Sequence, residues 1–360
     1  MVRFSCDTEI VSGSGACAAL KEQKLQRLLL VADPFFCKNG TAQRLAELTG
    51  AADFKIFDEV EPDPTVTLAA RGAALVKSFC PDGVVALGGG SAMDCAKAML
   101  YFSGSDAPLI AIPTTSGSGS EVTDFAILTH EGVKHPLVDE KLRPRMAILD
   151  SELLTSMPSK LVADSGFDVL CHALESYTAT GAGAITDTLA REAFCTVYAL
   201  LPASFGGRTD VRQRIHDASA MAGLAFTHAG LGLCHAMAHA LGGAFHLPHG
   251  RLNAMLLPWV MECNACRAGE KYAQLAQAAG IGGSAATLGL RNLKNALIRL
   301  RRELGMPATL AEAGVQPSRI RERWDEVVKA ALTDPCCATN PVPVEEFMVH
   351  KILEAVAGRG

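Results

Sequence analysis

The pattern of apolar and polar positions changes character near residue 157. Before it, unbroken apolar runs of strand length alternate with segments of helical periodicity. The runs predict strands at 28–32, 54–57, 83–87, 109–112 and 146–150, and the periodic segments predict helices at 65–79 and 92–101. Apolar runs that do not alternate with polar residues are typical of parallel strands buried on both faces. The first part of the chain is therefore expected to be an α/β domain.

Beyond residue 157 little strand pattern remains and helical segments follow one another. They are expected at roughly 160–179, 185–201, 210–226, 231–244, 251–266, 269–279, 283–304, 317–332 and 343–357. The sequence thus predicts two domains, an α/β dinucleotide-binding domain over 1–157 and an all-helical domain over 158–360.

Two loops of the first domain have the composition of a phosphate-binding crevice. Gly88-Gly89-Gly90-Ser91 joins the strand 83–87 to a helix, which directs backbone N–H groups and a helix N-terminus at any anion above the strand end. Its spacing does not match the GxGxxG fingerprint, and a tight turn without a ligand is the alternative. The next strand runs into small hydroxyls and glycines from Pro113 to Glu121. Two such loops after consecutive strands indicate a nucleotide crevice at the carboxyl ends of a parallel sheet.

Two charged residues of this domain are candidates for cofactor contacts. Asp33 follows the first predicted strand, where a carboxylate binds a ribose 2′-hydroxyl and repels a 2′-phosphate. With Pro34 after it, Asp33 fits a turn initiator equally well. Lys134 has the charge to meet the cofactor phosphates, with a solvent-facing lysine as the alternative.

The helical domain carries a pattern typical of a metal site. Asp168 and His172 stand one helical turn apart, as do His235 and His239, and His249 follows within Pro248-His249-Gly250. Aliphatic residues surround them, and polar groups in such surroundings need partners. A divalent cation satisfies them together, and a carboxylate with imidazoles suits Fe, Zn or Co better than Ca or Mg. Separately satisfied core histidines are the alternative, which the joint pattern disfavours.

Composition limits the classes of partner. Hydrophobic residues make up 49% and charged residues 20% of 360 positions, which is ample for two cores. A net charge of -5 and the lack of a basic block argue against binding to nucleic acid or to an anionic membrane. The N-terminus lacks a signal pattern and no apolar run spans a bilayer, so we expect a cytoplasmic protein whose twelve cysteines are reduced thiols.

Several motifs together resemble the signatures of iron-dependent (group III) alcohol dehydrogenases, over essentially the whole chain. They are the segments Gly88 to Lys97, Pro113 to Thr123, Gly166 to Glu175, Gly232 to His239, Pro248 to Gly250 and Asn340-Pro341. The segments Phe245 to Gly250 and Asp334 to Pro341 most resemble propanol dehydrogenases of propanediol-using bacterial microcompartments. Two positions depart from the family pattern, Cys171 for a frequent Thr and Ser151 for a frequent Pro.

The resemblance implies a fold and a set of site residues. The fold is a dehydroquinate synthase-like, Rossmann-type N-terminal domain and a helical C-terminal domain, with the nicotinamide in the cleft. The metal ligands are Asp168, His172, His235 and His249, and the catalytic residues are His239, Asp168 and His172, with His239 near the substrate. The cofactor-binding residues are Asp33, Gly88, Gly89, Gly90, Ser91, Asp94, Thr114, Thr115, Ser118, Thr123 and Lys134. The substrate pocket is lined by Phe125, Phe226, His239 and Cys336.

The expected function follows from these parts. An Fe²⁺-dependent enzyme, with Zn²⁺ as the alternative metal, would interconvert short-chain primary alcohols and aldehydes such as propanol and propionaldehyde, using NAD(H). A homodimer is expected, and the narrower resemblance implies microcompartment enzymes as partners. The alternatives are a zinc-dependent polyol (glycerol-type) dehydrogenase of the same superfamily and a non-catalytic scaffold with a structural metal.

Overall fold

A computed structural model describes residues 4–131 and 133–358 and divides them into two compact units. One runs from Ser5 to Met157, and the other begins at Pro158 and includes Phe4. Among these residues no helix combines the length and the apolar character that crossing a bilayer requires.

The first unit is built on a parallel sheet. In the described residues its strands are β1 Glu9–Ser12, β2 Arg27–Ala32, β3 Asp53–Phe57, β4 Gly83–Gly88, β5 Leu109–Pro113 and β8 Met146–Leu149, in the order β1-β8-β5-β4-β2-β3. The remaining strands, β6 Phe125–His130 and β7 Val133–Val138, form an antiparallel hairpin. Apart from Arg27 at the exposed start of β2, the inner strands are apolar because helices cover both faces of the sheet.

Alternate residues of the central strands serve two hydrophobic cores. The helices of this unit are α1 Pro34–Lys38, α2 Thr41–Leu48, α3 Val66–Phe79 and α4 Gly90–Ser103. Leu28 and Leu30 share a core with Leu45 of α2, whereas Leu29 and Val31 point to the opposite face, which shares its core with α3 and α4. This two-residue period follows from strand geometry and explains why the run reads as continuously apolar.

The second unit consists of helices. They are α5 Ser159–Thr178, α6 Ala184–Phe205, α7 Arg212–Ala229, α8 Leu233–Phe245, α9 His249–Cys263, α10 Ala265–Ala278, α11 Ala286–Glu303, α12 Pro317–Glu322, α13 Trp324–Thr333 and α14 Glu346–Ala357. The helix expected at 317–332 is wrong in one respect, since it is interrupted at Arg323 and forms α12 and α13. The two-domain fold, α/β followed by all-α, is confirmed.

Helix α5 is the centre of the second unit. Its residues from Gly166 to Thr178 are all buried, and it packs against α6, α7 and α9. Gly166 permits the close approach of α6, because a Cβ there would lie 2.3 Å from Leu201 Cδ1. Polar side chains on α5 are therefore enclosed by neighbouring helices and must find partners among them.

Candidate active site

Three helices of the second unit bring the predicted metal ligands together. Asp168 and His172 leave the same face of α5, His235 lies in the first turn of α8, and His249 is the first residue of α9. Donor atoms of Asp168, His172 and His235 all lie within 4.8 Å of one another. His249 joins this group through Asp168.

The three imidazoles surround a single oxygen, Asp168 Oδ1. It lies 3.9 Å from His172 Nδ1, 3.8 Å from His235 Nε2 and 3.5 Å from His249 Nε2. The Asn253 side-chain amide donates to the same oxygen at 2.8 Å and fixes the carboxylate. Two ligands of a tetrahedral ion, each about 2.1 Å from it, are separated by roughly 3.4 Å. The spacing therefore fits residues that share one divalent ion.

A buried carboxylate orients one of these histidines. Glu175 Oε2 lies 2.6 Å from His235 Nδ1, and both side chains are almost inaccessible to solvent. With Nδ1 engaged, Nε2 of His235 faces Asp168. Imidazoles that bind metals commonly have a carboxylate on the other ring nitrogen, which sets the tautomer and raises the basicity of the ring.

Glu175 also holds the start of α8. Its two oxygens accept hydrogen bonds from the backbone amides of Gly232, Cys234 and His235, at 3.0, 2.7 and 3.3 Å. Asn340 accepts from the amide of Leu233 at 3.1 Å. These bonds satisfy amides that a helix N-terminus leaves without intrahelical partners. His235 is thereby fixed through both its backbone and its ring.

Two glycines are required for this packing. A Cβ at Gly232 would lie 2.8 Å from Glu175 Oε1 and 2.7 Å from Asn340 Oδ1. A Cβ at Gly250 would lie 1.8 Å from the carbonyl oxygen of Asp164, which no small shift relieves. The glycine after His249 therefore allows α9 to begin directly against α5.

The charges at the site favour a cation. Burial alone would raise the pKa of Asp168, but the imidazoles of His172, His249 and His235 hold it well below its usual value, so the carboxylate is ionised. Burial lowers the pKa of His235, yet hydrogen bonds and charge from Asp168 and Glu175 raise it to about 9. The carboxylate pair thus stabilises positive charge at the ring that lies between them.

Burial lowers the pKa of His249 well below its usual range, against the attraction of Asp168. The neutral imidazole is the form that binds a metal.

His239 lies one turn beyond His235 and has a partner of its own. Its Nδ1 is 2.9 Å from Asp334 Oδ2, and its ring stacks on His249 at 5.1 Å. Cys336, two residues after Asp334, donates its backbone amide to the other carboxylate oxygen. Phe226 stacks on the ring of His172 at 4.4 Å. Of the residues predicted for the substrate pocket, His239, Cys336 and Phe226 therefore lie around the predicted metal ligands.

In the first unit, the two predicted cofactor loops lie side by side. The Thr114 amide donates to the Gly88 carbonyl at 2.9 Å, because the loops continue from the paired strands β4 and β5. A Cβ at Gly89 would lie 3.3 Å from Thr115 Oγ1, and one at Gly90 would lie 3.2 Å from Ser118 Cβ. Within the part of the chain that the structure describes, no side chain caps the first turn of α4. Its amides, with the half-buried Ser91 in that turn, form an arrangement suited to phosphate.

Asp33 and Lys134 each have an internal partner. Asp33 follows β2 at the same sheet edge and caps α1, accepting from the Phe35 amide at 2.8 Å. This is the turn-initiating role considered as its alternative, and the predicted ribose contact stays a prediction. Lys134 forms an ion pair with Asp63 at 2.6 Å.

Asp94, Thr123 and the backbone carbonyl of Phe125 belong to a hydrogen-bond network that supports the loop after β5. Asp94 accepts hydrogen bonds from Ser120 Oγ and the Ile127 amide. The buried ammonium of Lys97 donates to Thr123 Oγ1 and to the carbonyls of Thr123 and Phe125. Burial lowers the pKa of Lys97 to about 8, although Asp94 opposes the effect. The cofactor contacts of Asp94 and Thr123, and the place of Phe125 in the substrate pocket, stay predictions.

The roles of Glu175, Asn253 and Asp334 were not predicted from the sequence. Glu175 lies three residues after His172 and seven after Asp168, so helical spacing placed it on the same face of α5. Asn253 lies one turn after His249 on α9, which is a similar but weaker signal. Asp334 is 95 residues from His239, and no local pattern connects them.

Comparison with known proteins identifies the family. Residues 7–151 match the model for iron-containing alcohol dehydrogenase, and residues 162–357 match the C-terminal model of the Fe-containing alcohol dehydrogenase family. The 1-propanol dehydrogenase PduQ of Salmonella typhimurium is 38% identical, over 98% of this chain and 99% of that protein. The NADPH-dependent butanol dehydrogenase of Clostridium saccharobutylicum is 35% identical, over 99% and 98%. An iron-containing alcohol dehydrogenase from Thermococcus thioreducens has a TM-score of 0.91 at 32% identity, over 98% of both chains. The chain therefore belongs to the iron-containing alcohol dehydrogenase family and is an alcohol oxidoreductase.

Proposed function

We propose that this protein interconverts short-chain primary alcohols and aldehydes, of the size of propanol and propionaldehyde, with NAD(H) and a divalent iron ion. The observation that carries the proposal is the convergence of His172, His235 and His249 on one oxygen of Asp168. Relatives named for 1-propanol and butanol support the substrate class.

Different residues would bind the metal, contact the alkyl chain of the substrate and transfer the proton. Asp168, His172, His235 and His249 would hold the ion, which when bound would polarise the oxygen of the alcohol or aldehyde. Phe226, packed flat on His172, would provide an apolar wall for a short alkyl chain. His239, oriented by Asp334, would carry the alcohol proton towards solvent, because its side chain is 28% exposed.

The cofactor would be held by the first unit. Amides at the start of α4 and the adjoining Thr114-Thr115 loop would bind the pyrophosphate and the nicotinamide ribose. Asp33 at the end of β2 would favour NAD over NADP, because its carboxylate repels a 2′-phosphate. The butanol dehydrogenase relative is named as NADPH-dependent, so this preference needs its own measurement.

Assembly is a separate part of the proposal. A homodimer is proposed from the family resemblance alone. Association with microcompartment enzymes in a cytoplasmic compartment is proposed from the narrower resemblance to propanol dehydrogenases. Sedimentation of the purified protein tests the dimer, and a species with the mass of one chain at micromolar concentration would refute it.

The activity test uses protein reconstituted with Fe²⁺ under anaerobic conditions. Addition of NADH and propionaldehyde should give a decrease in NADH absorbance that depends on the metal. His249→Ala should abolish it, whereas His239→Ala should retain the metal and turn over more slowly. Absence of turnover with every aldehyde from acetaldehyde to butyraldehyde would refute the proposed function.

A further inference from the structure

A second group of metal-type donors lies beside the predicted metal ligands. It consists of His239 on α8 with Asp334 and Cys336, which stand at the start of the short 3-10 helix Pro335–Thr339. One donor atom from each of the three side chains lies within 4.8 Å of the other two. We call this group the His–Asp–Cys cluster.

We propose that the His–Asp–Cys cluster is a second site for a divalent ion of the zinc class, including Zn²⁺ and Co²⁺. Its imidazole nitrogen, carboxylate oxygen and sulfur are the ligand types that such ions take in proteins, with a fourth position left for water. All three residues are partly exposed, so an ion can reach them from solvent.

The geometry requires only a small adjustment. His239 Nδ1 and Asp334 Oδ2 lie 2.9 Å apart, as a hydrogen bond requires. An ion that replaces the proton between them would hold the two atoms roughly 3.4 Å apart, so they would separate by about half an ångström.

A backbone hydrogen bond holds Asp334 and Cys336 close together before any ion binds. Asp334 Oδ1 accepts from the Cys336 amide at 2.9 Å, so the carboxylate and the thiol occupy one tight turn. On binding, a metal–sulfur bond would form as the Cys336 S–H proton leaves to solvent, and the His239 proton would reside on Nε2.

The second site shares no residue with the first. The predicted iron ligands contain no sulfur, whereas the cluster contains Cys336. The two groups touch through the stacked rings of His239 and His249, at 5.1 Å. An ion in the cluster would also engage the proton-carrying residue, so if the proposed function holds, excess zinc would inhibit turnover.

Cobalt spectroscopy tests the site without an activity measurement. Co²⁺ is titrated anaerobically into the full-length chain with a phosphine reductant, and the near-ultraviolet thiolate-to-cobalt charge-transfer band is followed. Wild-type protein should bind two equivalents and develop the band. Cys336→Ser should bind one equivalent and lack the band.

Cys337→Ser is the matched control. The Cys337 thiol donates a hydrogen bond to the Ala331 carbonyl at 3.1 Å and lies outside the cluster. This variant should therefore behave as wild type. A wild-type protein without the band, or a band that persists in Cys336→Ser, overturns the proposal. X-ray absorption of the two-cobalt wild-type protein gives the same test without a substitution: sulfur should be a neighbour of cobalt, and its absence overturns the site. Failure of the proposed function would instead appear as missing NADH oxidation, which neither spectrum measures.

Discussion

Replacing Glu175 with glutamine tests how the protein positions His235, a predicted metal ligand. Glutamine keeps the shape of the side chain but exchanges one acceptor oxygen for an NH₂ group. Glu175 Oε1 accepts from the Cys234 amide, and Oε2 accepts from two amides and faces the His235 ring. The glutamine side chain can keep its oxygen at the position of Glu175 Oε2. Its NH₂ group then faces the backbone amide of Cys234, and two donors are left without an acceptor.

Two effects are expected from this change. An unsatisfied buried amide costs about 1–3 kcal/mol of unfolding free energy. Loss of the carboxylate on His235 Nδ1 lowers the basicity of the ring, and loss of such a partner typically weakens metal binding by about 10–100-fold. Both effects arise at one residue because Glu175 holds the backbone and the ring together.

The assay is competition for Fe²⁺ or Co²⁺ against a chromophoric chelator, with thermal unfolding measured in parallel. Glu354→Gln on α14 makes the same chemical change at an exposed position and should leave both values unchanged. A metal affinity for Glu175→Gln within twofold of wild type would show that this carboxylate does not tune the site.

Three further substitutions test other features of the structure. Gly250→Ala should destabilise the protein by about 1–3 kcal/mol and reduce its metal content, because the added methyl group meets the Asp164 carbonyl; unchanged thermal unfolding would contradict the contact. Asp33→Gly should narrow the ratio of kcat/KM for NADH over NADPH, and an unchanged ratio would leave Asp33 as a helix cap only. Burial raises the pKa of Glu121 to about 7, which destabilises the folded chain once this carboxyl ionises. The stabilisation of Glu121→Gln relative to wild type should therefore grow between about pH 4.5 and 7, and urea unfolding that gives a difference independent of pH would refute it.

Much of the fold could be predicted because buried strands and helices have a clear pattern of apolar residues in the sequence. The run at β2 is apolar at every position from Leu28 to Ala32, since helices cover both faces of the sheet. Strand β1, Glu9–Ser12, was not predicted because it is short, lies at the sheet edge and is largely exposed. Helix α2 also went unpredicted, as its eight residues are too few for a clear period.

Part of the candidate metal site could be predicted from local spacing, whereas most of the residues that support it could not. Asp168 and His172 are four residues apart, as are His235 and His239, so helical spacing alone puts each pair on one face of its helix. The bond from Asp334 to His239 depends on how α8 meets a loop far along the chain. Helix-to-helix contacts of this kind have no periodic signature, so only the folded structure reveals them.

Anomalous diffraction from crystals of the anaerobically purified protein tests the proposed iron site. Data collected at the iron and zinc absorption edges locate the ion and identify it. We expect one iron peak within about 2.3 Å of an oxygen of Asp168 and of one nitrogen each of His172, His235 and His249. An iron peak elsewhere, or an iron ion that one of these four residues does not contact, would contradict it.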